Sequence, residues 1–282
     1  MVTSINPLSK TFDISDSEKA ELLQIIHNRY EFDFTGYSEA SLKRRINRFA
    51  DLKNMNNFFE LKNGLLNNES LFFDFVQEVT VNVTEMFRDP SFYKAVKEKI
   101  FPYLETHPYF KIWHAGCSSG EEPYSMAIML KENNLLDNAR IYATDLNQNV
   151  LSQAREAIYP ARYFQEYSQN YINAGGKNSL ADYYVTNSGM VKLDQQLSRN
   201  MVFSSHNLVV DRSFNEFHLI VCRNVLIYFK QPLQEKVFQL FYDSLCMFGY
   251  LALGSKETLQ FSKLFDRFEV VDKKEKIYRK IA

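Results

Sequence analysis

The stretch HAGCSSGEEPYS, residues 114 to 125, sets two glycines, small hydroxyls and two adjacent acids between an apolar run and a segment of helical character. Its spacing, Gly116-x-x-x-Gly120, matches neither the dinucleotide pattern GxGxxG nor the phosphate loop GxxxxGK[ST], and no lysine follows. A glycine-rich turn after a strand presents backbone N–H groups and a helix N-terminus to whatever lies across the carboxyl edge of a parallel sheet. Glu121 and Glu122 at that helix start would repel a pyrophosphate and attract a cation. S-adenosylmethionine suits such a turn, because its methionyl end carries an ammonium and a sulfonium while its ribose offers two hydroxyls. The ribose partner should be an acid at the end of the next strand, and IYATD places Asp145 there. The same residues also suit a plain strand-to-helix turn with Asp145 capping the following helix, and their spacing alone leaves both readings open. Cys117 and Ser118 are small residues explained by the turn itself.

These residues need a frame. From Phe110 onward, short apolar runs alternate with helical patterns: FKIWHA, EPYSMAIMLKEN, RIYATD, QNVLSQAREAIY, MVFSSHNL, FHLIVC, QPLQEKVFQLFYDSLCMF and YLALG. Such alternation predicts an α/β fold with a parallel sheet covered on both faces. RFEVVDKKEKIYRKI adds two β-like runs around a charged turn, a closing antiparallel hairpin of the kind found in class I methyltransferases. Residues 159–200 break the alternation; they are rich in tyrosine and asparagine, and Asn187-Ser188-Gly189 marks a hairpin turn, so a small β insertion is predicted there.

Ahead of the sheet, residues 15–82 read as helices alone. Leu22, Leu23, Ile25, Ile26 and Tyr30 recur at helical spacing behind the capping candidates Ser15 and Ser17, and Leu42, Ile46 and Phe49 form a second stripe. RDPSFYKAVKEKIFPYL opens with Asp89 as cap and Pro90 at the first helical position. The predicted organisation is an all-α N-terminal domain over 1–82, a linker helix over 83–108, and a Rossmann-like cofactor-binding domain over 109–282 with its insertion at about 159–200.

The totals limit the partners. With 45% hydrophobic residues and 24 phenylalanines the chain can bury a large core, and 33 basic against 34 acidic residues leave no broad footprint for nucleic acid. Three scattered cysteines suit a reducing compartment and supply no metal-ligand pair. The N-terminus lacks a basic and apolar leader, and no apolar run approaches about 18 residues, which predicts a soluble, cytoplasmic protein with no membrane insertion.

Five blocks in order, NVTEMFRD (82–89), AGCSSGEEPYS (115–125), ATDLN (143–147), HNL (206–208) and CRNVLIYF (222–229), closely resemble the CheR family of chemotaxis receptor methyltransferases, from about residue 20 to the end. Met86 departs from the pattern, where the family more often has phenylalanine. The resemblance implies that Asn82, Thr84 and Arg88 reach the S-adenosylmethionine cofactor from the segment between the domains, and that Glu122 meets its methionyl end. It further implies that Asp145 binds the ribose, Asn207 and Leu208 lie against the adenosine, and Cys222, Arg223 and Tyr228 line the floor near the methyl group. Arg88 and Tyr228 are then the candidate catalytic residues, and the product is a glutamate methyl ester with S-adenosylhomocysteine.

Partners follow from the same resemblance. On the helix around LKRRINRF, Lys43, Arg44, Arg45 and Arg48 point largely outward, a face that the resemblance makes the docking surface for acidic chemoreceptor helices. In some relatives the β insertion also binds a tethering peptide at the receptor's carboxyl terminus, by strand addition. Two alternatives stay open at this level: the same chemistry on a signalling protein outside chemotaxis, and a cofactor-binding module without turnover.

Overall fold

The computed structural model describes residues 12–30, 32, 34, 39–79 and 84–282. It divides into two compact units, one of N-terminal helices joined by residues Tyr228–Lys230, the other containing the remainder of the described chain. Among the described residues no helix is long and apolar enough to cross a membrane.

The helical unit contains α1 (Asp16–Tyr30), α2 (Glu39–Leu52), α3 (Phe58–Asn67) and α4 (Glu69–Val79). A reciprocal cap starts α1: Glu18 N donates to Ser15 Oγ at 3.2 Å, and Ser15 N donates to Glu18 Oε2 at 2.8 Å. The stripe Leu42, Ile46 and Phe49 is buried, as its spacing predicts. Phe72 and Phe75 on α4 complete an aromatic core, with Tyr30 stacked on Phe72 and Phe49 edge-on to Phe75. Phe229 belongs to this unit through a bridge to Phe32 and a ring contact at 5.1 Å.

The second unit contains β1 (Phe110–Ala115), β2 (Ala139–Asp145), β3 (Ile158–Pro160), β4 (Tyr184–Asn187), β5 (Met190–Leu193), β6 (Met201–Ser205), β7 (Phe217–Cys222), β8 (Leu245–Leu253), β9 (Phe268–Asp272) and β10 (Ile277–Lys280). Its helices are α5 (Pro90–Lys99), α6 (Phe101–Leu104), α7 (Glu121–Glu132), α8 (Gln148–Glu156), α9 (Phe164–Asn173) and α10 (Gln231–Ser244). The main sheet runs β6-β2-β1-β7-β8-β10-β9. The first five of these strands are parallel, and β10 lies antiparallel between β8 and β9, which is the predicted hairpin. From β1 the chain moves outward to β2 and β6 and then returns to β1's other side as β7. That reversal makes a crevice at the carboxyl ends of β1, β2 and β7. The class I methyltransferase arrangement with its small antiparallel sheet is therefore present.

Local chemistry explains the departures from the sequence reading. The insertion is the three-stranded sheet β3-β5-β4, with Ser188 and Gly189 both at positive φ in the tight turn. It also holds α9, which its polar, tyrosine-rich sequence concealed. Glu132, at the end of α7, accepts from Tyr171 Oη, Tyr183 Oη and Lys177 N, and so ties this insertion to the sheet. The expected linker helix α5 buries Phe92, Tyr93 and Val96 in the same core as β1 and α7. Asp89 precedes α5 with φ +55 and no capping bond from its side chain, because its carboxylate is engaged by Arg223. The helix α10 stops at Ser244, and Leu245 to Phe248 begin β8 instead of extending it.

Candidate cofactor site

The glycine turn after β1 is fastened to the end of β2. Gly116 N and Cys117 N both donate to Thr144 O, at 2.8 and 2.9 Å. Gly116 has φ +82, and a Cβ there would stand 2.4 Å from Val225 Cγ2, so conformation and space both demand glycine. Asp145 Oδ2 accepts from Ser118 N and its Oδ1 from Asn147 N, each at 2.9 Å. Burial raises the Asp145 pKa, and the N–H donors of Asn147 and Ser118 work against that rise. The Ser118 hydroxyl is buried and has no hydrogen-bond partner among the described residues, a polar atom left for a ligand.

The two acids at the start of α7 have opposite fates. Burial lifts Glu121 to a pKa of about 7, only partly offset by the Ser119 hydroxyl, which donates to it at 2.8 Å. Glu122 is also penalised by burial, but His114 and Arg223 outweigh the penalty and hold it below the ordinary carboxylate range. His114 Nδ1 lies 2.8 Å from Glu122 Oε1, and Arg223 Nη1 lies 3.5 Å from Glu122 Oε2. Of the pair expected to attract a cation, Glu122 alone is securely charged near neutral pH.

Arg223 joins several segments at the rim. It pairs with Asp89 at 2.5 Å, donates to Arg88 O at 3.3 Å and stacks its guanidinium 4.1 Å from the centre of the Phe92 ring. Its place directly after β7 sets it opposite the turn after β1, since the two strands are paired. His114 and Asp89 are thus members of the site that sequence reasoning missed. The signal for His114 was its position one residue from the end of β1, flanking the same turn as Glu122.

The remaining predicted residues are placed as follows. Asn82 lies outside the described residues. Thr84 and Arg88 are half-buried on the segment leading into α5, beside Met86, which is wholly buried. His206 N donates to Asp145 O at 3.3 Å, which brings Asn207 and the buried Leu208 to the end of β2. The Asn207 side-chain oxygen accepts from Val209 N at 3.0 Å and holds that loop in a turn. Cys222 ends β7, buried, and burial together with the negative charges of Glu257 and Glu122 pushes its thiol pKa up. Burial raises Cys117 as well. Tyr228 closes the short turn Leu226–Tyr228 and is grouped with the helical unit.

On α2, Arg44 and Arg48 are exposed, while Lys43 and Arg45 are half-buried. Lys43 pairs with Asp13 at 3.4 Å and Arg48 with Glu78 at 3.0 Å, and Arg45 donates to Glu78 O at 3.5 Å. Arg44 makes no hydrogen bond or ion pair among the described residues.

Comparison with known proteins identifies the family. Residues 82–277 match the family described as CheR methyltransferase, SAM binding domain, and residues 17–80 match CheR methyltransferase, all-alpha domain. A Pseudomonas putida protein named "Putative methyltransferase Cher3" is 43% identical over 266 residues, covering 94% of this chain and 97% of that one. The chemotaxis protein methyltransferase of Listeria innocua is 31% identical over 250 residues, 87% of this chain and 92% of its own. That of Borreliella burgdorferi is 29% identical over 278 residues, 93% of this chain and 95% of its own. These matches, along both domains and at this identity, show that the chain belongs to the CheR methyltransferase family and is an S-adenosylmethionine-dependent protein methyltransferase.

Proposed function

We propose that the protein methylates glutamate side chains on the cytoplasmic helices of chemoreceptors, producing methyl esters. The observation that carries this reading is Glu122, a carboxylate kept ionised at the mouth of the glycine turn by His114 and Arg223. It supplies the anion that a cationic methionyl group requires. The unpartnered Ser118 hydroxyl and the unused lone pairs of Asp145 fit the polar remainder of S-adenosylmethionine. Asn82, Thr84, Arg88, Cys222 and Arg223 are the further residues proposed to hold it, with Asn207 and Leu208 against the adenine side.

When bound, S-adenosylmethionine supplies a methyl group already activated by its sulfonium. A glutamate acceptor has a pKa near 4.3, so it arrives ionised and no side chain need remove its proton. The crevice suits such an acceptor: the Cys117 and Cys222 thiols are held protonated, and His114 is committed to Glu122. The protein's work is alignment and the exclusion of water. Charge is dispersed as the anion meets the cation, so a guanidinium on the attacking oxygen would stabilise the reactants more than the transition state. Arg88 is therefore assigned to the methionyl carboxylate or the non-attacking oxygen, and the Tyr228 hydroxyl to orienting the acceptor.

For docking, the exposed Arg44 and Arg48 on α2 are the proposed contacts with acidic receptor helices, with Lys43 and Arg45 supporting them. Strand β4, at the edge of the insertion sheet with Val185 exposed, is the proposed seat of a tethering peptide where one is used. Acting on receptor cytoplasmic helices places the protein in the cytoplasm. The test is methyl transfer to a receptor cytoplasmic fragment, read as base-labile methanol. Ester formation on the fragment is the expected result; S-adenosylhomocysteine binding with no ester on any receptor fragment would refute the acceptor assignment.

A further inference from the structure

One buried carboxylate has no place in this mechanism. Glu257, after β8, is 4% exposed, yet it pairs with no cation among the described residues. Its two oxygens instead accept four backbone N–H groups. Oε1 takes Val225 N at 2.8 Å and Leu226 N at 2.7 Å, while Oε2 takes Asn224 N at 3.0 Å and Gly254 N at 2.6 Å. Gly254 must lack a side chain for this to occur, since a Cβ there would stand 2.6 Å from Oε2.

The three consecutive amides, 224 to 226, directly follow Cys222 and Arg223 at the end of β7. Asn224 turns the chain through φ +61, and a run of N–H groups converging in such a turn forms a concavity that attracts an anion. Glu257 fills that concavity from within the chain. What this holds in place matters for the crevice: Val225 Cγ2 lies so near Gly116 that the turn can carry no Cβ, and Arg223 reaches Glu122.

We infer that Glu257 is a positioning residue for the cofactor site. By clamping residues 224–226 it keeps Val225 seated on the Gly116 turn and Arg223 within reach of Glu122, with no hydrogen bond from its own side chain to that turn among the described residues. This inference rests on the reading that the Gly116–Gly120 turn holds the cofactor, and is independent of the acceptor's identity.

The experiment is calorimetry of S-adenosylhomocysteine with the full-length wild type, Glu257→Gln and, as a control for the site itself, Asp145→Ala. Glutamine keeps the size of the side chain but sets an N–H2 group against two N–H donors. Loss of the two bonds at the replaced oxygen should weaken binding about ten- to a hundredfold in a variant that remains folded. Folding is checked by the fluorescence of Trp113, the one tryptophan. A folded Glu257→Gln with unchanged affinity, beside a weakened Asp145→Ala, overturns the inference alone. Unchanged affinity in Asp145→Ala overturns the cofactor-site reading and the inference with it. Should Glu257→Gln not fold, amide exchange in the wild type decides. Amides 224–226 and 254 protected as strongly as those of β7 support the clamp, and free exchange refutes it.

Discussion

The partly protonated Glu121 offers a measurable test of the site's electrostatics. Its pKa rises from an ordinary 4.5 to about 7 through burial, and such a rise corresponds to roughly 3 kcal/mol favouring the neutral form in the folded protein. The sign follows from proton uptake. Between pH 4.5 and about 7 the folded state binds this proton more tightly than the unfolded state, so stability from this group falls as pH rises through that window. Above about pH 7 the full cost of a buried charge is present. Glu121→Gln removes the titration while keeping an acceptor for the Ser119 hydroxyl.

Urea unfolding followed by Trp113, which is buried on β1, reports on the sheet unit. The stability of the variant relative to wild type should increase by roughly 3 kcal/mol between about pH 4.5 and pH 8. The slopes contributed by Glu122 and Asp145 are common to both proteins and cancel in the difference. A difference that changes by less than about 0.5 kcal/mol over that range would refute the assignment of a strongly raised pKa to Glu121.

Other outcomes follow from the same geometry. Asp145→Ala releases Ser118 N and Asn147 N, and should weaken S-adenosylhomocysteine binding by about tenfold or more in calorimetry. By contrast, Tyr228→Phe should lower kcat with little change in that affinity; normal binding and turnover in both variants would remove these two residues from the site. Gly116→Ala forces a Cβ onto Val225 in a left-handed backbone, and should cost about 1–3 kcal/mol in denaturation together with cofactor affinity. Arg44→Glu should reduce methylation of a receptor fragment and flatten its dependence on salt while leaving cofactor binding unchanged. Unchanged methylation would return this helix face to solvation alone.

Much of the framework was visible in the sequence because local pattern and tertiary position coincide. The burial of strands such as FHLIVC makes them read as near-continuous apolar runs, and Asn187-Ser188-Gly189 meets the dihedral demands of its turn without outside help. Gly116 and Asp145 were legible for a similar reason, each ending a predicted strand at the rim. The charged network was not legible, since Arg223 meets Glu122 and Asp89 from separations of 101 and 134 residues. The pairing of β1 with β7 brings Arg223 to Glu122, and the packing of α5 in the same core brings Asp89 to it. Asp89 shows the cost of local reasoning: it has the right type and position for a helix cap, but a buried guanidinium competes for the carboxylate and wins. The helix α9 was concealed because its buried positions are Phe164, Tyr167 and Tyr171, aromatic residues that read equally well as strand.

The protonated state of Cys222 has a consequence for the enzyme's own survival. A methyl sulfonium alkylates whatever nucleophile it meets, and a thiolate would be a better one than any carboxylate. Burial, with the negative charges of Glu257 and Glu122 adding to it, opposes ionisation of that sulfur, so the donor bound as proposed meets no thiolate at Cys222. Burial at the end of β7 thus keeps this sulfur in its less reactive form.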